Sequence, residues 1–228
     1  MARIFPFQPY RYTAQADALE DLVTQPYDKI TAAMKSSYLA RSPHNLVRVI
    51  LGERYPTDTA ADNVYTRAAG YLRAWIEDGI LAREAEPGVF PYFQEFTVPD
   101  TGERLVRQGF IALGAVEDYA AGVVHRHEQT LSGPKKDRLD LLRATHAHCG
   151  QIFMLYADPA GAIDHLLEQA AQATPLADMT DEYGARHRVW KITAAERIQQ
   201  LMNDKKLLIA DGHHRYETAL AFRQENPE

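Results

Sequence analysis

The sequence predicts a mixed α/β (α+β) fold on three observations. Short apolar runs such as 207–210 are bounded by lysines and Asp-Gly, as a buried strand ending in a turn would be. Long stretches such as 58–81 carry apolar residues at i, i+3, i+4 spacing. The two patterns alternate irregularly, with no internal repeat and no low-complexity linker. One compact unit over 1–228, with any seam near 84–88, is the expected organisation.

In chain order, Ile4, Phe5, Phe7 and Tyr10 alternate with prolines and read as an extended, edge-like segment. Residues 17–23 offer a short helix with Ala18, Leu19 and Leu22 on one face. Pro26-Tyr27-Asp28 is a loop, and Asp28 either caps a helix over 30–40 or faces a cleft. Residues 46–51, with Val47, Val49 and Ile50 ahead of Gly52, read as a buried strand. The helix over 58–81 places Tyr65, Ala68, Ala69, Leu72, Trp75 and Ile76 on a core-facing stripe. Strands over 89–98 and 104–116 flank Pro99-Asp100-Thr101-Gly102, a hairpin turn, and Pro91 puts the first of them at a sheet edge. Residues 137–145 and 163–173 read as helices, 151–156 as a strand, and a β pair is expected across Glu182-Tyr183-Gly184. Thr193-Ala194-Ala195-Glu196 is a capping box opening a helix to about Asn203.

The run from Lys205 to Leu220 carries the chemistry. A strand over 207–210 meets Asp211-Gly212, after which Tyr216, Ala219 and Leu220 fall at helical spacing. His213, His214 and Arg215 therefore sit on a first helical turn. The N–H groups and positive dipole end there favour an anion, and a guanidinium adds a planar, bidentate grip. The plainer alternative makes Asp211 an N-cap, Gly212 a turn residue and the two histidines solvated surface.

A second polar group is His125-Arg126-His127-Glu128-Gln129-Thr130, followed by Gly133-Pro134-Lys135-Lys136-Asp137-Arg138. Lys135 and Arg138 flank a helix start and suit phosphate, or else belong to a solvated charged face. His125 and His127 share a face in an extended segment, and His146 and His148 repeat that spacing, but histidine pairs without a fixed third ligand assign no metal. No P-loop or Gly-x-Gly-x-x-Gly run occurs. A single cysteine, Cys149, excludes a disulfide framework and a thiolate metal cluster. The net charge of −6 argues against non-specific or duplex nucleic-acid binding, which draws on a basic face. No apolar run approaches the ~20 residues of a membrane span and no signal core opens the chain, so cytoplasm is the expected compartment and no membrane partner is expected.

The run Asp211-Gly212-His213-His214-Arg215-Tyr216-Glu217-Thr218-Ala219 resembles the phosphate-binding signature of the ParB/sulfiredoxin superfamily, in which Gly-x-x-Arg or Gly-His-Arg occupies this kind of corner. The chain is more closely similar to the prokaryotic domain-of-unknown-function family one-zero-one-five. That likeness rests also on Gln25-Pro26-Tyr27-Asp28, Asn45-Leu46-Val47-Arg48, Arg107-Gln108-Gly109-Phe110-Ile111-Ala112 and His127-Glu128-Gln129-Thr130. It continues through Pro134-Lys135-Lys136-Asp137-Arg138-Leu139, Leu142-Arg143-Ala144-Thr145 and His187-Arg188-Val189-Trp190. Family members usually continue well beyond the helix after the corner, whereas this sequence ends at Glu228, so a site completed there is expected to be incomplete.

The resemblance implies a ParB/sulfiredoxin-like phosphate-binding core with an inserted α+β region. Its characterised relatives include free serine kinases, sulfiredoxins and DNA-segregation proteins. Sulfiredoxin-type chemistry puts its cysteine where this chain has His213, which disfavours the reductase reading. The expected function is nucleotide-dependent phosphoryl transfer to a small hydroxyl compound, with free serine as the acceptor the resemblance suggests. Gly212, His213, His214 and Arg215, with His127, would hold ATP or ADP, and Lys135 and Arg138 would neutralise charge. Asp28, Glu128 or Asp211 would orient the hydroxyl or a magnesium ion. The alternatives are a metal-dependent hydrolase using His125, His127 and His146, and a non-catalytic nucleotide- or phosphate-binding module.

Overall fold

The structure is a computed structural model that describes residues 1–128 and 132–227, with the side chains of 132–134 left aside. The fold is mixed α/β, with eight α-helices and eleven strands among the described residues. It divides into two units, neither contiguous in sequence: the first holds 1–9, 84–127 and 154–210, and the second 10–83, 128–153 and 211–228.

The elements in chain order begin with β1 (Ile4–Phe5), β2 (Tyr10–Tyr12), α1 (Leu19–Leu22), α2 (Ala32–Arg41), α3 (Val47–Ile50) and α4 (Val64–Glu77). Next come β3 (Leu81–Arg83), β4 (Phe90–Thr97), β5 (Arg104–Ile111), β6 (Leu113–Gly114), a 3-10 turn (Tyr119–Ala121) and β7 (Val124–His125). The chain continues through α5 (Ser132–Thr145), β8 (Phe153–Leu155), α6 (Ala162–Ala170), β9 (Ala177–Thr180) and β10 (Arg186–Val189). It closes with α7 (Glu196–Met202), β11 (Leu207–Asp211) and α8 (His213–Glu225).

The first unit is built on an antiparallel sheet of order β5-β4-β10-β9. Its β4–β5 hairpin and the β9–β10 pair across 182–184 form as the turn residues predict. Pro91, expected at an edge, lies instead in the second strand of four. The cost is confined to one bond: Pro91 faces Trp190, one residue beyond the end of β10, and only the bond from its missing N–H is lost. The Pro91 carbonyl still accepts from Trp190 N–H, and Val89 and Ile192 then exchange both bonds. The parallel pair β7–β11 belongs to a second sheet of order β7-β11-β8. Thr193 does not cap α7, whose N-cap is Ala195 with no side-chain bond. The Thr-x-x-Glu spacing is therefore out of phase, with Glu196 at the first helical position instead of the third.

The second unit packs α5 against α4 and α8, and α3 against α4. Val49, Ala68, Trp75, Ile80, Leu81 and Leu141 form its core, with Tyr12, Leu46, Leu72 and Cys149 packed on it. The helix expected over 58–81 begins only at Val64, because Asn63 and Thr66 form a capping box. Thr31 caps α2 through the Met34 N–H, so Asp28 is not its cap.

Residues 46–51 are not a strand: Val47–Ile50 is helical. A buried apolar run this short has no decisive period, and a side chain decides the matter. Asn45, fully buried, accepts the Val47 N–H at 2.9 Å and donates to the carbonyls of Asp21 at 2.7 Å and Val23 at 3.3 Å. Leu46 N–H closes on the Leu22 carbonyl at 2.9 Å. Asn45→Ala removes the side-chain bond to the Val47 N–H and leaves two part-buried carbonyls short of a donor, so we expect a loss of about 2–3 kcal/mol in denaturant unfolding. Ser36→Ala on exposed α2 surface should stay within ~0.5 kcal/mol of the parent.

Candidate functional site

The corner between β11 and α8 lies in the second unit from Asp211 onward. Gly212 is the N-cap of α8 with φ 94°, a left-handed conformation that a side chain resists. The corner also fills the space a side chain would need. A Cβ on Gly212 would lie 3.0 Å from Arg215 Nε and 3.1 Å from its Cζ and Nη2. The guanidinium is thus folded flat over the glycine, and its other side passes Gly150, where a Cβ would come within 3.4 Å of Nη1.

Arg215 uses this position to tie the corner together. It donates to the Asp211 carboxylate from Nη2 and to the Gln151 carbonyl from Nη1. Asp211 is therefore not the N-cap. It ends β11 with its carboxylate on Arg215, and an N-cap glycine offers the helix no capping oxygen.

His213 is not solvated. Its side chain is 1% exposed and its Nδ1 lies 2.9 Å from Glu128 Oε1, whose own side chain is 54% exposed. The pair joins a buried imidazole to a carboxylate that reaches solvent. His214 is half-buried, and its carbonyl accepts from Thr218 Oγ1 at 2.7 Å.

α5 supplies the cations. Lys135 Nζ lies 3.6 Å from Glu217 Oε2 on α8. Arg138 is 10% exposed and largely committed within the unit: it donates to Asp137 and, at 2.8 Å, to the Ile50 carbonyl. Its guanidinium stacks 4.1 Å from the centre of the Tyr27 ring. Burial raises the Tyr27 hydroxyl above its ordinary range, against the pull of Arg138 and more weakly of Arg215. Through Tyr27 the Pro26-Tyr27-Asp28 loop is thus held beside Arg138 and within the field of Arg215. Asp28 is exposed in the turn that follows.

Asp137 was absent from the residues singled out by sequence. It accepts from Arg138, from Arg54 at 2.6 Å and from Tyr65 at 2.9 Å. Burial alone would raise its pKa, but the Arg138 bonds, with Tyr65 and Arg54 behind them, hold it below the ordinary carboxylate value. Its partners at 54 and 65 are remote in sequence, so no local spacing announces the network.

The histidine pairs fall in different units. His125 is in β7 and His127 Nδ1 lies 2.9 Å from the Ile209 carbonyl, both in the first unit. His146 and His148 belong to the second, with His146 edge-on to Phe222 at 6.0 Å. Burial lowers the His148 pKa and pushes the Cys149 thiol up to about 11. Cys149 thus stays protonated at neutral pH, which argues against a thiolate nucleophile there. Gln129 and Thr130 lie outside the described residues.

A family model described as a protein of unknown function (DUF1015) matches residues 4–228. The chain belongs to that family. No curated protein and no solved structure matches it. No helix among the described residues is long and apolar enough to cross a membrane.

Two stability effects follow from this geometry of the DUF1015 chain. Gly212→Ala must place a Cβ against Arg215 at a positive φ, so we expect about 1–3 kcal/mol of destabilisation by thermal or denaturant unfolding. The depressed pKa of Asp137 means that its ionised form stabilises the fold above the unfolded-state pKa, near 3.8, and that this contribution is lost as pH falls through the lower folded value. Asp137→Asn should cost about 1.5–3 kcal/mol at neutral pH and flatten the acid limb of the stability profile. An acid limb identical to the parent's would contradict the assignment.

Proposed function

We propose that this DUF1015 chain binds a nucleotide through its phosphates at the start of α8 and transfers a phosphoryl group to a small hydroxyl compound, with free serine as the first acceptor to test. The observation that carries the reading is the Glu128–His213 pair on the first residue of a helix whose N-cap is glycine. An anion-attracting helix end and an acid–base pair then meet at one place, and phosphoryl transfer needs little more than positioning and charge stabilisation. The helix-start amides of His213 and His214 take phosphate oxygens. Lys135, half-exposed on α5, adds a movable cation. Arg138 acts at one remove, setting Tyr27 and with it the loop that carries Asp28.

Arg215 already faces a carboxylate, so a phosphate competes with Asp211 for its guanidinium. Exchange of one anion for the other frees Asp211. The released carboxylate and Asp28 are the oxygen ligands that suit a magnesium ion, which would offset the negative charge of the transferred group. Glu128, the solvent-reaching end of its pair, accepts the proton of the acceptor hydroxyl as that oxygen attacks phosphorus and the bond to the nucleoside diphosphate breaks. A ParB/sulfiredoxin-like core is the fold-level counterpart of this reading, and the Asp211–Ala219 run supports it.

Incubation with ATP, magnesium and serine should release ADP and phosphoserine together. Glu128→Gln should lower kcat about 10²–10⁴-fold with a nearly unchanged KM for ATP. Arg215→Ala should weaken nucleotide binding by about 1.5–3 kcal/mol in titration calorimetry. Absence of both turnover and calorimetric binding for any nucleoside di- or triphosphate would contradict the proposal.

A further inference from the structure

The sheet of the first unit carries a second cluster of titratable groups, which the phosphoryl-transfer reading does not use. Tyr92 Oη lies 2.6 Å from His187 Nδ1, and His187 Nε2 lies 3.1 Å from Asp181 Oδ2. The partners fix the protons. The other oxygen of Asp181 accepts the amides of Tyr183 and Ala185, each at 2.9 Å, so the carboxylate is an acceptor throughout. His187 therefore donates from Nε2, and Tyr92 donates its hydroxyl proton to Nδ1. The result is a carboxylate–imidazole–hydroxyl chain, the order in which a catalytic triad arranges its groups, with a phenol at the end.

The surroundings of that phenol are asymmetric. Cross-strand register puts Tyr92 opposite Gly109, and Gln94 opposite both Arg107 and His187. A Cβ on Gly109 would meet nothing within 4 Å, so the position beside Tyr92 on β5 is open. On the opposite face Phe93 is buried edge-on to Trp190 at 5.0 Å and Gln108 reaches Glu168 of α6, whereas the Tyr92 face is filled only at its Phe90 end, where Phe7 packs edge-on at 5.4 Å. Of the paired residues of β4, β5 and β10 on the Tyr92 face, from Phe90 and Ile111 at one end to Phe96 and Leu105 at the other, Arg107 is the one permanently charged side chain. Arg107 is exposed, lies over the Phe96 ring at 5.4 Å and donates to Gln94 at 3.1 Å. Its positive charge opposes the burial that raises the Tyr92 pKa, which sets it in the field of the phenol.

We propose that Tyr92, His187, Asp181 and Arg107 form a second ligand site, seated over Gly109, that takes a small carboxylate. One guanidinium beside a neutral phenol matches a monoanion with a planar fork, whereas a phosphate dianion would call for further cations on this face. The carboxylate pairs with Arg107 and accepts a hydrogen bond from Tyr92, whose proton is otherwise held on His187. The open position at Gly109 sets the size of the ligand's substituent.

The test uses the full chain with ¹⁵N-labelled histidine, titrated with acetate, lactate and benzoate and, in parallel, with acetamide and inorganic phosphate. The expected result is a saturable shift of the His187 ring nitrogens with at least one carboxylate in the millimolar range and none with acetamide. Gly109→Val fills the open position on a strand that tolerates a β-branched residue. It should abolish the shift while circular dichroism and the unfolding midpoint stay at parent values. Arg107→Gln should weaken the carboxylate response at least tenfold, and Tyr92→Phe should remove it while shifting the His187 resonances in the unliganded protein. Saturable shifts from phosphate but not carboxylates, or a carboxylate response untouched by Gly109→Val, would overturn the assignment, as would the absence of any saturable response. ATP turnover in Gly109→Val should equal the parent's, so the outcome here is separate from that of the α8 site.

Discussion

The start of α8 depends on one contact, the Arg215 guanidinium lying flat on a glycine whose φ is 94°. A residue without a Cβ takes this left-handed φ at least cost and leaves room for the arginine to fold back. Folded back, Arg215 ties Asp211 at the end of β11 to the Gln151 carbonyl in the segment after α5. The same turn brings His213 inward, where Glu128 receives it. Three stretches remote in sequence are thereby referred to one backbone turn, and a change at Gly212 is felt by all of them.

Internal neutralisation governs the electrostatics. Arg138 has Asp137, Arg215 has Asp211, and Lys135 has Glu217, so these three cations are held in place by carboxylates. This fits a chain of net charge −6. Under the proposed function, an incoming phosphate would be taken up by exchange. Affinity would then be lower than bare cations give, and the displaced carboxylate would become available for a metal ion or a hydroxyl proton. Arg138 shows the limit of reading charge from sequence: expected at a helix start, it lies inside α5, which begins at Ser132, and spends its donors on Asp137 and Ile50 and its face on Tyr27.

The sequence made the corner legible because a change of hydrophobic period, a glycine and a cluster of polar residues coincide within ten positions. The β4–β5 hairpin and the β9–β10 pair were legible for the same local reason. Asn45 was not: its buried amide, bonded across more than twenty residues to Asp21 and Val23, turns a β-branched run into helix. Pro91 misled because its position opposite Trp190, where a single bond is lost, is a fact of register, invisible along one strand. The Asp137 network and the Tyr92–His187–Asp181 chain each join segments far apart in sequence, so no local spacing links their members.

The most direct test of the central claim is a crystal structure of the chain grown with ADP and magnesium. The account predicts diphosphate oxygens within hydrogen-bond distance of the His213 and His214 amides, with Arg215 turned from Asp211 toward the phosphate. A nucleotide bound with its phosphates away from the α8 start, or an α8 start that stays bare at saturating ADP with Arg215 still on Asp211, would contradict it.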